Sequence, residues 1–191
     1  MEKVENKKEQ KRNNTALFSL ICIAMFTAVI VVCSQIQVPL GPVPFTLQTM
    51  AIFIASGLMG AKRGTLSLLL YILLGALGLP VFAQFSGGMG VILGPTGGYI
   101  VGFAFTAFIT GLGSDLFKKN PLALIISMIV GLLVCYALGT AWFIFMTNRS
   151  GGNMGLMTAL GYCVFPFLIP DGVKIAVSAV LVNRISKLVR L

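Results

Sequence analysis

Polar residues crowd the first fourteen positions and then almost vanish. Residues 1–14 carry Glu2, Glu5 and Glu9 with five Lys and Arg, whereas from Thr15 onward long apolar runs alternate with short polar or Gly/Pro-rich breaks. A helix needs about 20 apolar residues to cross a bilayer. The run 15–36 meets that length; it exceeds a signal-peptide core and leads into further apolar segments, which predicts a first membrane helix. Residues 37–44 hold Pro39, Pro42, Pro44 and Gly41, the composition of a turn or extended loop. A second helix is expected over 45–60 and a third over 65–78, both short for a full span, with Ala61-Lys62-Arg63-Gly64 as a tight basic turn between them. The fourth helix is placed at 98–117, Lys118-Lys119-Asn120-Pro121 turns the chain, and the fifth runs to 147. After a polar, glycine-rich turn at 148–155, the stretch 156–165 is too short to cross alone and reads as a partial helix. Pro166 and Pro170 lack backbone donors and disfavour helix before them, so the sixth helix is expected to restart at Asp171, as N-cap, and to reach about 190.

Composition agrees with a membrane protein. With 57% hydrophobic residues, 10% charged residues and a mean hydropathy of +0.97, the chain is read as all-α and integral to the membrane, a polar cytoplasmic tail (1–14) followed by one compact bundle of six helices (15–191). The net charge of +9 reports topology, since the basic residues fall in tails and short turns without the exposed aromatic interleaving of a nucleic-acid surface. With six crossings and both termini cytoplasmic, all 14 Lys and Arg except Arg149 and Lys174 fall inside, as the positive-inside rule requires. A seventh crossing would turn the C-terminal cluster outward. There is no His, which removes the commonest general base and metal ligand. Cys22, Cys33, Cys135 and Cys163 stand singly with no metal or redox spacing.

The same topology brings three unusual segments together on the extracellular side: the Pro-rich loop, the stretch 79–97 and the start of the last helix. The stretch 79–97 is apolar and glycine-rich without one charge. Irregular backbone at membrane depth survives only when buried in protein or lining a cavity, so this loop is expected to be a lid or pocket wall. Asp171 is one of two acids beyond the tail. It lies three residues before Lys174, so on a helix the two share a face and either pair with each other or share a ligand. Ionisable groups inside a membrane usually mark function. Thr46, Gln48 and Gln84 add hydroxyl and amide groups that either serve a ligand or satisfy nearby backbone, Phe82 adds an aromatic wall, and Tyr99 follows the glycines. No nucleophile has a base beside it, and Gly94-Pro95-Thr96-Gly97-Gly98 lacks the Gly-Lys-Ser/Thr ending of a P-loop, so neither catalysis nor ATP hydrolysis is expected.

Four stretches in this order, Val43-Pro44-Phe45-Thr46-Leu47-Gln48-Thr49, Leu79-Pro80-Val81-Phe82-Ala83, Gly94 to Phe103 (GPTGGYIVGF) and Pro170-Asp171-Gly172-Val173-Lys174, resemble the motifs of the BioY family. The resemblance spans the chain after its tail. It implies a multi-pass cell-membrane protein, the biotin-binding S component of an energy-coupling-factor (ECF) importer, with six helices, high-affinity capture from outside, and a membrane coupling subunit and two cytoplasmic ATPases as partners. No cofactor, metal or nucleic acid is implied. Asp171 and Lys174 match the family's acidic and basic ligand positions, and Thr46, Gln48, Phe82, Gln84, Gly97 and Tyr99 fall within or beside the matching stretches. The ureido ring of biotin offers two N–H donors and a carbonyl, which a carboxylate and an ammonium or amide satisfy; the pair could equally place Lys174 on the valerate carboxylate. Ala24 and Ala28 share one face of the first helix at a spacing that permits close helix approach, a spacing repeated at Ala51/Ala55 and Ala137/Ala141. The resemblance assigns Ala24 and Ala28 to docking of the coupling subunit. The competing reading is a stand-alone or proton-coupled permease for a small organic solute, which would favour more intramembrane ionisable groups or two repeats with broken helices.

Overall fold

The structure, a computed structural model, describes residues 2–38, 43–117 and 120–188, and gives no side-chain description for residues 2–9, 11 and 12. Pro39 and Pro42, the Lys118-Lys119 turn and the expected end of the last helix near Arg190 lie outside the described residues. The chain runs α1 (Glu2–Gln35), β1 (Gln37–Val38), β2 (Phe45–Thr46), α2 (Gln48–Ala76), a 3-10 turn (Ala83–Phe85), α3 (Met89–Ile92), α4 (Gly97–Leu116), α5 (Pro121–Arg149), α6 (Leu156–Cys163) and α7 (Phe165–Leu188). Among the described residues, five helices are long and apolar enough to cross a membrane: the 13–35 part of α1, then α2, α4, α5 and α7. The backbone of the polar tail continues α1 without a break back to Glu2. The change at residue 14 is therefore one of hydropathy and not of secondary structure.

The second and third expected helices are the two arms of α2. Gly60 interrupts it with φ 80° and ψ −178°, a left-handed angle that glycine adopts at little steric cost. The arms fold back on each other: a Cβ on Gly64 would lie 2.6 Å from the Ser56 Cα, and Gln48 and Tyr71 line the same cavity. In a straight helix those pairs would be roughly 12 Å and 35 Å apart. The tight turn expected over 61–64 is thus made by Gly60 alone, and Ala61 to Gly64 are already helical. Asp115 from α4 secures the second arm by accepting the Ala61 N–H at Oδ2, 2.8 Å away, as an N-cap carboxylate does from within its own chain segment.

Two further boundaries depart from the sequence expectation. Helix α7 begins at Phe165, after a break at Val164 (φ −128°, ψ −56°), so Asp171 sits within the helix and is not its N-cap. Pro166 falls in the first turn, where no intrahelical donor is required, and Pro170 is accommodated inside the helix at the loss of one backbone bond. Helix α2 begins at Gln48 instead of Phe45, because Phe45 and Thr46 pair as β2 with Val38 and Gln37 of β1. The stretch 79–97 is ordered by the 3-10 turn, an isolated Phe82–Ser86 bridge and α3.

Lipid is as apolar as a leucine side chain, so close packing and interhelical hydrogen bonds must hold such a bundle. Gly111 packs on the Ala61 backbone and Gly131 on Thr106. Thr106 Oγ1 donates to the Gly131 carbonyl (2.9 Å), Ser114 Oγ to Gly57 (2.7 Å) and Thr27 Oγ1 to Ser67 (2.9 Å); each contributes about 0.6 kcal/mol on average. Two buried apolar clusters result. One gathers Phe26, Phe53, Met128, Phe167 and Val182, the other Ile30, Ile52, Leu68, Tyr71 and Phe82. The cavity described next is lined from both.

Candidate functional site

Lys174 and Asp171 are buried, at 5% and 3% exposure, and helical spacing points both toward β2 and the start of α2. The Lys174 Nζ lies 2.6 Å from Asp171 Oδ1. It also donates to the Thr46 carbonyl (2.7 Å) and to Thr49 Oγ1 (3.0 Å), and sits 3.9 Å from the centroid of the Phe45 ring. An ammonium has three protons, and all three are engaged by protein. The strand at Phe45–Thr46 is what makes this possible: had the helix opened at Phe45, the Thr46 carbonyl would serve the N–H four residues on. Asp171 Oδ2 accepts from the Tyr136 hydroxyl of α5, 2.5 Å away. Two buried charges are expensive to desolvate unless their remaining bonds are satisfied, and this set ties α7 to β2, α2 and α5 at once.

Two adjoining cavities open beside the pair. The larger, about 180 Å³, is lined by Thr46, Gln48, Tyr71, Phe82, Gln84 and Ser86 among others. The smaller, about 50 Å³, is lined by Asp171, Tyr136, Thr49, Cys135 and Phe167. Val43, Pro44, Thr46, Tyr99 and Phe103 belong to both. The walls are apolar and aromatic with a few placed polar groups, the usual make-up of a small-molecule pocket. Among the described residues each Asp171 oxygen has one protein partner and lone-pair capacity left over. The Gln48 side-chain nitrogen is buried without a hydrogen-bond partner among the described residues, an arrangement that costs free energy unless something fills it.

The sequence-predicted residues divide into those that reach this cavity and those that do not. Thr46, Gln48, Phe82, Gln84, Tyr99 and Asp171 line it. Thr46 also caps locally, its hydroxyl accepting the Gln48 N–H at 3.3 Å, and Tyr99 shares a 3.0 Å hydrogen bond with Thr140. Phe82 is wedged edge-on to Tyr71, ring centroids 5.4 Å apart, over Gly75, where a Cβ would collide with its ring. Lys174 lines neither cavity and stands behind Asp171. Gly97 is a packing position: a Cβ there would lie 1.7 Å from the Ile92 carbonyl oxygen, and the residue borders a separate apolar groove with Trp142. Ala24 and Ala28 lie far along α1 from the cavity, both exposed, as are Ala137 and Ala141, while Ala51 and Ala55 are buried.

Sequence reading passed over Tyr136, Tyr71 and Gln35, and took Thr49 only as part of the hydroxyl-bearing stretch that opens the second expected helix. A signal existed for the tyrosines, because a phenol hydroxyl within an apolar helix needs a partner, and few polar groups are available. Gln35 stood at a predicted helix end, where an amide attracts no notice.

A sequence model of the BioY family matches residues 6–191 of the chain. The biotin transporter BioY of Thermotoga maritima is 44% identical over 170 residues, covering 88% of this chain and 96% of that protein. A probable biotin transporter BioY of Pyrococcus horikoshii is 43% identical over 163 residues, covering 85% and 93%. The crystal structure of the S-component for biotin from an ECF-type ABC transporter superposes with a TM-score of 0.83 at 32% identity, covering 92% of this chain and 94% of that one.

Proposed function

This chain belongs to the BioY family, and from that premise we propose that it is the biotin-capturing S component of an ECF-type importer, binding its ligand in the two-lobed cavity beside Asp171. The family is one of membrane transporters and not of enzymes, its substrate is biotin, and no cofactor is indicated. The observation that carries the reading is the pairing, in one otherwise apolar cavity, of a carboxylate with spare acceptor capacity and a buried amide donor without a partner.

That pairing also supports an orientation. The ureido N–H groups suit Asp171, which would repel a carboxylate, so the ring enters the smaller lobe. The valerate chain then extends through the larger lobe, where the Gln48 nitrogen and the Gln84 amide are available to oxygen acceptors. Lys174 acts from behind, holding Asp171 aimed, since its own protons are committed to Asp171, Thr46 and Thr49.

The folded α2 supports six crossings with both termini on one side. Its closed end at Gly60 carries Lys62 and Arg63, and its open end, with Gln48 and Tyr71, meets the cavity. Basic residues mark the cytoplasmic side, so the cavity faces outward. Nothing in the chain resembles an ATPase site, so energy for uptake comes from the membrane coupling subunit and two ATPases of the ECF module. The reading is tested by purifying the chain alone and with the module: the isolated protein should retain radiolabelled biotin at one per chain, and uptake should require the ATPases. Loss of retained biotin on washing, or uptake without the module, would overturn it.

A further inference from the structure

Gln35, the last residue of α1, devotes its side-chain amide to the backbone of the turn that walls the larger cavity. Its Nε2 donates to the carbonyls of Val81 (3.1 Å) and Phe82 (3.0 Å), and its Oε1 accepts the Phe85 N–H (3.0 Å). Ser34 adds a second grip from the same helix end, Oγ to the Val81 carbonyl at 2.7 Å. The turn it holds is an unfavourable one. Gln84 and Phe85 are consecutive non-glycine residues with φ of 61° and 52°, the left-handed region that L side chains seldom occupy and that persists only where the surroundings over-determine it. Among the described residues the turn's own bonds are three: Phe82 N–H to Ser86 O at 2.9 Å, Ser86 N–H to Ala83 O at 3.4 Å, and Ser86 Oγ to Ala83 O at 2.7 Å, and none of them is made by Gln84 or Phe85. Phe82, Ala83, Gln84 and Ser86 all face the cavity.

We infer that Gln35 is a positioning residue for ligand capture: it holds the 82–86 turn in its left-handed form, and thereby makes the end of α1 and the cavity wall one mechanical unit. The inference rests on the reading of this cavity as the biotin site. Helix α1 is the least buried of the five spanning helices, so most of its surface is open to a partner. A displacement along it reaches the cavity through Gln35 and alters the wall contacts that retain the ligand.

The test is a rescue experiment on the intact chain in lipid nanodiscs. Gln35→Leu removes the amide at similar volume and should weaken biotin binding about tenfold, mainly through faster dissociation, for the loss of hydrogen bonds of ordinary net strength. Phe85 is exposed and lines neither cavity, so Phe85→Gly alone should leave binding unchanged. Because glycine tolerates the left-handed angle, Phe85→Gly in the Gln35→Leu background should recover at least half of the lost affinity. Wild-type affinity in Gln35→Leu, or a loss that Phe85→Gly does not recover, overturns the proposal. Amide exchange at Phe85 supplies a readout independent of ligand. It should quicken in Gln35→Leu even if the wild-type chain proves to retain no biotin, and unchanged exchange would overturn the positioning role whatever the cavity binds.

Discussion

The Tyr136 hydroxyl of α5 and the Asp171 carboxylate of α7 meet at 2.5 Å across the wall of the smaller lobe. The contact fixes the oxygen that Lys174 does not, so both carboxylate oxygens are held before any ligand arrives, and binding need not order them. Tyr136→Phe keeps the ring and removes the proton. It should weaken biotin binding by about 1–2 kcal/mol and cost about 1.5–3 kcal/mol of ligand-free stability, since a bond to a charged acceptor is stronger than a neutral one. Isothermal titration and thermal melting of the purified variant check both parts; unchanged affinity would mean that Asp171 does not touch the ligand.

Lys174 and Asp171 should behave as a coupled pair in stability and as unequal partners in binding. Breaking a buried pair by removing one member costs about 3–5 kcal/mol, because the other is left uncompensated. Lys174→Met and Asp171→Asn should each lower the melting temperature of the ligand-free protein, and the double variant should lose clearly less than the sum. Asp171→Asn should also weaken binding more than Lys174→Met does once stability is accounted for, since only Asp171 lines the cavity. A double-mutant cycle measures the coupling, and additive losses would count against the pair as a unit.

Gly60 and Asp115 govern the fold of α2. Gly60→Ala places a Cβ 2.2 Å from Asp115 Oδ1 at a φ of +80°, so it should destabilise by about 1–3 kcal/mol. Asp115→Ala loses the cap on Ala61 and should cost about 0.5–2 kcal/mol. Because both lie at the closed end of the hairpin, away from the cavity, biotin affinity of the surviving folded fraction should hold. Unfolding curves in detergent, followed by binding on the folded fraction, separate the two effects.

How much of this was legible beforehand depends on whether a feature is local. The i,i+3 placement of Asp171 and Lys174 is a property of any helix, so the shared face was readable even though the helix begins six residues earlier than expected. The break of α2 was also readable, but its pivot was assigned to the basic residues at 61–64. The glycine before them makes the turn, because it alone tolerates the required angle. Lys174 was expected to be as available to ligand as Asp171, and only the strand at Phe45–Thr46 reveals its commitment elsewhere. Gln35 joins residues about 46 to 50 positions away, and no periodicity encodes such a bond. Gly97 was drawn into the site by its neighbours in sequence, while its lack of a side chain answers to the Ile92 carbonyl.

The 79–97 stretch is pinned at several points, which sharpens the expectation that it is a lid. Trp142 Nε1 donates to the Gly94 carbonyl (2.9 Å), and the Gly88 N–H to Gly75 (2.7 Å). Biotin should slow amide exchange across 87–94, as a covering segment loses its open excursions when the ligand holds it. Trp142→Phe should speed exchange over 89–94 in the ligand-free protein by releasing one pin. Identical exchange with and without biotin would identify the segment as a fixed wall.

The last expectation concerns Ala24 and Ala28. Of the three alanine pairs at this spacing, Ala51/Ala55 is buried within the bundle and spoken for, whereas Ala24/Ala28 and Ala137/Ala141 both face outward. Exposure alone therefore does not choose between α1 and α5. The neighbourhood does not choose either: Leu17, Leu20, Ile21, Met25 and Val32 are exposed beside the α1 pair, and Val130, Leu133, Leu138 and Phe145 beside the α5 pair, and small residues within either surface let another helix approach closely. The resemblance to the BioY family makes the choice, assigning docking to Ala24 and Ala28. Ala24→Trp and Ala28→Trp should fold and bind biotin as the unmodified chain does, because the side chain points away from the protein and lies along α1 from the cavity. They should nevertheless block co-purification with the coupling subunit and abolish ATP-driven uptake. Ala137→Trp is the matched control, equally exposed on α5, and should assemble normally. If Ala137→Trp blocks assembly while the α1 variants permit it, the coupling subunit docks on α5; if the α1 variants lose biotin in isolation, their face belongs to the fold and not to a partner.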